Sequence, residues 1–164
     1  MAEILLASLR GHAGGLRAAT LEGTETRGSR FVRYLLDSNI CVYAMKNRPQ
    51  QVLRRLQNLG PTMVGVSVIT VLELRQGAER SRQRELAHAR LDDFFDPMNV
   101  LSFEEADALV AARIRSQLFQ IGRPIGDFDS LIAAHALARD LIVVTNNVGE
   151  FERVPGLRIE NWAA

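Results

Sequence analysis

Apolar residues in this chain fall into two alternating spacings, and the alternation begins only near Phe31. Short continuous apolar runs recur at residues 33–37 (RYLLD), 62–67 (TMVGVS), 98–102 (MNVLS), 141–145 (LIVVT) and, more weakly, 156–161 (GLRIEN). Their length and branched content read as strands buried on both faces. The segments between them carry helical spacing and helix punctuation. Helices are expected over 38–46, 50–59 (closed by Gly60-Pro61), 68–79, 81–95, 103–122 and 127–140. The clearest is 103–122, where Phe103, Ala106, Leu109, Val110, Ile114 and Leu118 share a face before Gly122. Strands alternating with helices predict an α/β fold: a mostly parallel sheet of four to five strands with helices on both faces. Residues 1–30 carry no such period. The stretch GHAGGLRAATLEGTETRGSR is expected to be a poorly ordered extension ahead of one domain over 31–164, and a translation start near Val32 is a second expectation.

Composition narrows the class. At 164 residues with 47% hydrophobic content, the chain can bury one sizeable core. The single cysteine, Cys41, excludes an internal disulfide framework and a cysteine zinc cage, and fits a reducing compartment. No apolar run approaches the roughly 18–20 residues of a membrane span, and ILLASL lacks a basic leader, so a cytoplasmic protein without a membrane partner is expected. The net charge of +1 hides a gradient: residues 33–90 are basic and residues 91–164 acidic. A basic half suits a nucleic-acid-facing surface, and equally a solvated helix face. Lys46 is the only lysine.

Ligands of a parallel sheet bind beyond the carboxyl ends of its strands, so polar residues that follow strands carry the candidate chemistry. Asp37 ends the first strand, and Thr145, Asn146 and Asn147 end the fourth, with Glu150 three residues on. Glu73 lies on the helix after the second strand, and Asp129 in the first turn of DSLIAAHAL. Each has an ordinary reading as a cap or a helix carboxylate. Together they converge on one edge with no lysine to neutralise them. Mg²⁺ removes such repulsion, and a Mg²⁺ site of this kind activates water against a phosphodiester. Competing sites are missing: no Walker loop, no Gly-x-Gly-x-x-Gly turn and no Gly-x-Ser-x-Gly elbow occurs. His12, His88 and His135 stand apart without metal spacing. His135 is expected to be a packed or partly exposed helix residue, and Cys41 a core residue. Receiver and haloacid-dehalogenase-like phosphotransferases also place an Asp after the first strand. They need a late lysine, and the latter a second Asp where Asn39 stands.

These residues carry a resemblance. YLLDSNI, VSVITVLELRQGAE, IGDFDSLIAAHALARDLIVVTNN and EFERVPGLRIENW match in order the segments of PIN-domain ribonucleases, specifically the toxin half of bacterial VapBC toxin–antitoxin pairs. The resemblance implies a three-layer α/β/α fold, an endoribonuclease dependent on Mg²⁺ or Mn²⁺, a homodimer, and inhibition by a small VapB-type antitoxin. It implies Asp37, Glu73 and Asp129 as the acids, in that order. Asp37 and Asp129 are expected to hold metal and Glu73 to serve the attacking water. Asn147 stands where most PIN domains have a fourth acid, and Glu150 is expected to supply the missing carboxylate. Arg54, Arg55, Arg75, Arg80, Arg82 and Arg84 are expected to hold RNA phosphates, with single-stranded or looped RNA (tRNA in many relatives) as the substrate. A catalytically weak PIN module that acts by binding RNA or antitoxin is the competing expectation.

Overall fold

The structure, a computed structural model, describes residues 31–164, so both expectations for residues 1–30 lie outside the described residues. Five strands form one sheet: β1 (Tyr34–Leu36), β2 (Val64–Ser67), β3 (Asn99–Leu101), β4 (Ile142–Val144) and β5 (Arg158–Glu160). Every pair is parallel, in the order β3-β2-β1-β4-β5. The helices are α1 (Ser38–Lys46), α2 (Gln50–Leu59), α3 (Val68–Glu79), α4 (Arg84–Phe95), α5 (Glu105–Gln120), α6 (Asp127–Ala138) and α7 (Val148–Phe151). Among the described residues, no helix is long and apolar enough to cross a membrane.

The pleat sorts the strand residues into two cores. Tyr34, Leu36, Val64, Val66, Ile142 and Val144 face Ile40, Cys41, Val52, Leu56, Leu91 and Phe94 from α1, α2 and α4. Leu35 and Val143 face Ala111, Ile114 and Leu118 of α5 and Ile132, Ala133 and Ala136 of α6. Ala133, Ala134 and Ala136 of α6 are fully buried and bring that helix close to the sheet. Gly65 does the same within the sheet, because a Cβ there would lie 3.0 Å from the Asn99 carbonyl oxygen and 3.1 Å from Val32 Cγ1. The result is a three-layer α/β/α sandwich whose central strands β1, β2 and β4 read as continuous apolar runs because neither of their faces meets water, while the edge strands β3 and β5 are partly exposed.

Boundaries shift where local chemistry overrides periodicity. Pro61 opens a 3₁₀ turn over Pro61–Met63, so β2 starts at Val64 rather than at 62. The expected helix 103–122 starts at Glu105 because Glu104 and Asp107 form a capping box. The four-residue α7 is too short to leave a periodic signal.

From β1 the chain builds outward through β2 to β3, then crosses to the other flank of β1 for β4 and β5. Strand order therefore reverses between β1 and β4, whose carboxyl ends border one crevice.

Candidate active site

Asp37 leaves β1 at that reversal. Its amide donates to the Val144 carbonyl at 3.0 Å, which continues the β1–β4 ladder by one residue. The side chain is 2% exposed. Asp37 is also the N-cap of α1, accepting the Ser38 amide at 2.5 Å on Oδ1. Its other oxygen accepts the Thr145 hydroxyl at 2.8 Å, so the cap residue and the residue after β4 are locked together.

The remaining candidates gather around this pair. Ser67 ends β2 and caps α3 by accepting the Ile69 amide at 3.0 Å. Thr70 then ties α3 to the Leu36 carbonyl at 3.3 Å. One turn further α3 presents Glu73, half-buried, whose carboxylate accepts the Ser38 hydroxyl. Asp129, in the first turn of α6, accepts the Asn147 side-chain amide at 2.9 Å, and the Asn147 backbone amide donates to Thr145 Oγ1 at 2.9 Å. Glu150 on α7 accepts the Gly126 amide at 2.8 Å. A Cβ at Gly126 would lie 3.4 Å from Asp129 Oδ2 and 3.5 Å from Glu150 Oε2, which puts both acids against the same turn. All five residues singled out from the sequence thus converge. Asn147 does so through Asp129 and Thr145 rather than by touching Asp37.

Among the described residues, none of these four carboxylates has a salt bridge. Burial raises the pKa of Asp37, against the pull of its hydrogen bonds from Thr145 and Ser38. Burial, then repulsion from Asp37, Glu150 and Glu73, pushes Asp129 up to about 7. Glu150 goes the other way, because the Gly126 amide favours its charged form. The site is therefore a pocket of concentrated, under-compensated negative charge. Its donors are hard oxygens. Among the described residues, no three His, Cys, Asp or Glu side chains are grouped so as to enclose a metal ion. The donor set suits a cation held by one or two carboxylates and completed by water, as Mg²⁺ prefers.

Two contacts were not legible from the sequence. Ser38 reads as a helix starter, yet its hydroxyl serves Glu73. His135, expected as a packed or partly exposed residue, is fully buried and bonded to Ser67. Cys41 is fully buried, and burial pushes its thiol up, as expected of a core residue. Four of the six arginines expected to hold RNA have partners within the fold: Arg54 with Gln50, Arg55 with Glu160, Arg75 with Asp92 and Arg84 with Glu79. Arg80 and Arg82, in the turn between α3 and α4, are exposed and without a partner among the described residues.

Comparison with known proteins agrees with this geometry. The PIN domain family model matches residues 34–157. The chain is 43% identical over 132 residues to the tRNA(fMet)-specific endonuclease VapC of Shigella flexneri, covering 80% of this chain and 99% of that protein. It is equally similar to Ribonuclease VapC2 of Haemophilus influenzae, at 43% identity with 98% of that protein covered. Among solved structures, DNA-bound VapBC from Salmonella typhimurium superposes with a TM-score of 0.75 at 40% identity, covering 80% of this chain and 98% of that one. VapBC2 from Rickettsia felis, bound to a promoter DNA fragment, gives 0.75 at 36% identity, covering 80% of this chain and 99% of that one. Family model, near-full-length relatives and fold agree: this chain belongs to the PIN domain family, in its VapC branch.

Proposed function

We propose that this protein is the toxin of a VapBC-type pair, a metal-dependent endoribonuclease that hydrolyses RNA until a VapB-type antitoxin blocks it. The observation that carries this reading is the convergence of Asp37, Glu73, Asp129 and Glu150 at the β1–β4 crevice with no salt bridge among the described residues to balance them. Asp37 and Asp129 would hold Mg²⁺ (or Mn²⁺), with Glu150 beside Asp129. A divalent cation there supplies Lewis acidity and offsets the negative charge that grows on a phosphodiester under attack. Glu73, its carboxylate oriented by the Ser38 hydroxyl, accepts a proton from the attacking water. Thr145 holds Asp37, and Asn147 holds Asp129, so that neither carboxylate swings away. In-line hydrolysis leaves a 5′-phosphate and a 3′-hydroxyl.

Substrate and partners follow from the surface. Arg80 and Arg82 are the free cations of the basic half best suited to RNA phosphates, a contact that weakens as salt rises. The relatives' names point to tRNA as the class to test first. An apolar groove lined by Val42, Met45, Leu74, Leu91 and Phe94, with Arg90 and Lys46 beside it, fits an amphipathic acidic segment of the antitoxin. Leu72, Leu109 and Phe119 are 53%, 57% and 79% exposed, apolar area that a homodimer would cover. The cytoplasm is the compartment where such a toxin meets its substrate.

The deciding experiment incubates the purified protein and its Asp37→Ala variant with total tRNA and Mg²⁺, then maps the cleaved ends. Wild type cuts and leaves 5′-phosphates, and the variant does not. Equal cutting by both removes Asp37 from the chemistry. Equal growth inhibition by both on expression, without cleavage, favours a binding module.

A further inference from the structure

A fully buried imidazole lies behind the acid centre. His135 sits on α6, less than two turns beyond Asp129, and is 0% exposed. Its Nδ1 is 2.8 Å from Ser67 Oγ, and the Phe103 ring packs against it edge-on with centroids 5.5 Å apart. Among the described residues its Nε2 has no hydrogen-bond partner, and the nearest counter-charge is Asp107 Oδ2 at 3.8 Å. Asp107 is itself 2% exposed. Burial opposes its ionisation, but hydrogen bonds from Arg139 and the Glu104 amide outweigh that and hold its pKa below the usual range. An ionised carboxylate only accepts, so the proton of the imidazole belongs on Nε2. Burial also pulls the His135 pKa down to about 4, leaving the ring neutral and Nδ1 with a free lone pair. Ser67, whose oxygen already accepts the Ile69 amide, must therefore donate its hydroxyl proton to Nδ1.

This bond joins the N-cap of α3, which carries Glu73, to α6, which carries Asp129. On one side of the centre, hydrogen bonds run from Asp37 through Thr145 and Asn147 to Asp129 on α6. On the other they run from Asp37 through Ser38 to Glu73 on α3. Among the described residues, the ring closes behind the site only where α6 meets the N-cap of α3, at His135 and Ser67. The remaining ties there, around Ile69, are apolar and carry no directional information.

We propose that His135 is a positioning residue for the acid centre: by accepting the Ser67 hydroxyl it sets the spacing of α6 from the end of β2 and from α3, and with it that of Asp129 from Asp37 and Glu73. The inference rests on the metal reading above and adds a residue that touches neither metal nor RNA.

The test is calorimetric titration of the purified full chain with Mn²⁺ alone, without RNA, for wild type, His135→Leu, His135→Asn and Ser67→Ala. Melting curves taken without metal identify the folded variants, and only those are compared. His135→Leu and Ser67→Ala are expected to weaken Mn²⁺ binding by about tenfold or more, the usual scale for residues that orient metal ligands. His135→Asn, which restores an acceptor near the place of Nδ1, is expected to stay close to wild type. A folded His135→Leu with wild-type affinity overturns the inference, and so does a His135→Asn as weak as His135→Leu. If His135→Leu does not fold, Ser67→Ala decides in the same way. Wild type that binds no Mn²⁺ overturns the metal reading and this inference with it, whereas normal binding in wild type and both truncations overturns the inference alone.

Discussion

Asp37 and Asp107 are equally buried, both 2% exposed, yet they are opposite kinds of residue. Asp107 receives the Arg139 guanidinium at 2.9 Å and the Glu104 amide at 2.7 Å, and its pKa falls. Asp37 receives only neutral donors, has carboxylates for neighbours, and its pKa rises. A buried carboxylate with a cation belongs to the scaffold. One without a cation is held at a cost to stability, and that cost is sensible only if a cation or substrate group arrives later. Depth of burial does not separate the two cases; the charge of the partner does.

The sharpest way to break this contrast is to neutralise each acid. Asp37→Asn is expected to cut RNA cleavage by more than the ~100-fold typical of residues that merely orient a metal ligand, while its metal-free melting temperature holds or rises. A melting temperature well below wild type would make Asp37 a structural residue like Asp107. The converse change, Arg139→Ala, strands Asp107 without its partner. It is expected to cost about 2 kcal/mol, below the ~3–5 of a fully buried pair because Arg139 lies partly exposed. Chemical denaturation reads that loss directly, and the cleavage rate of the folded fraction should change far less than in Asp37→Asn.

The same contrast has a pH signature. Asp129 binds its proton more tightly in the folded state, so metal-free stability falls as pH climbs from its ordinary 3.8 toward about 7. Asp107 does the reverse: its folded pKa is depressed, so its contribution is present above 3.8 and is lost as pH falls below that value. Thermal melts in a chelator should therefore peak at about pH 4 and decline toward about pH 7, and Mg²⁺ should restore the loss at the upper end of that range. A flat alkaline limb would mean that the acids do not repel as the geometry requires. Asp129→Asn should flatten it. The smallest effect is expected at Asn147, which holds Asp129 by one neutral hydrogen bond. Asn147→Ala should lower cleavage by about tenfold, with a rise in the Mg²⁺ needed for half-maximal rate. No change in Mg²⁺ requirement would limit Asn147 to the backbone contact with Thr145.

Much of this was legible in the chain. The apolar runs and helical spacings mark the five strands and all the longer helices within a few residues, because burial on both sheet faces leaves an unmistakable pattern. The acids were legible as well: Asp37 is legible by its place after a strand, and Glu73 and Asp129 by the motifs around them. Partnerships were not legible. The arginines illustrate this, since Arg55 finds Glu160 and Arg75 finds Asp92 across 105 and 17 residues of sequence, while Arg80 and Arg82 have no partner among the described residues.

Sequence by itself determined the layered α/β/α architecture, which follows from local periodicity, and it marked the converging acids, Asp37 by its place after a strand and Glu73 and Asp129 by the motifs around them. Only the tertiary structure decided which charges are compensated. Asp37 and Asp107 differ in partners drawn from distant segments, and hydrogen bonds such as Ser67 to His135 depend on how helices sit against one sheet, which no local pattern records.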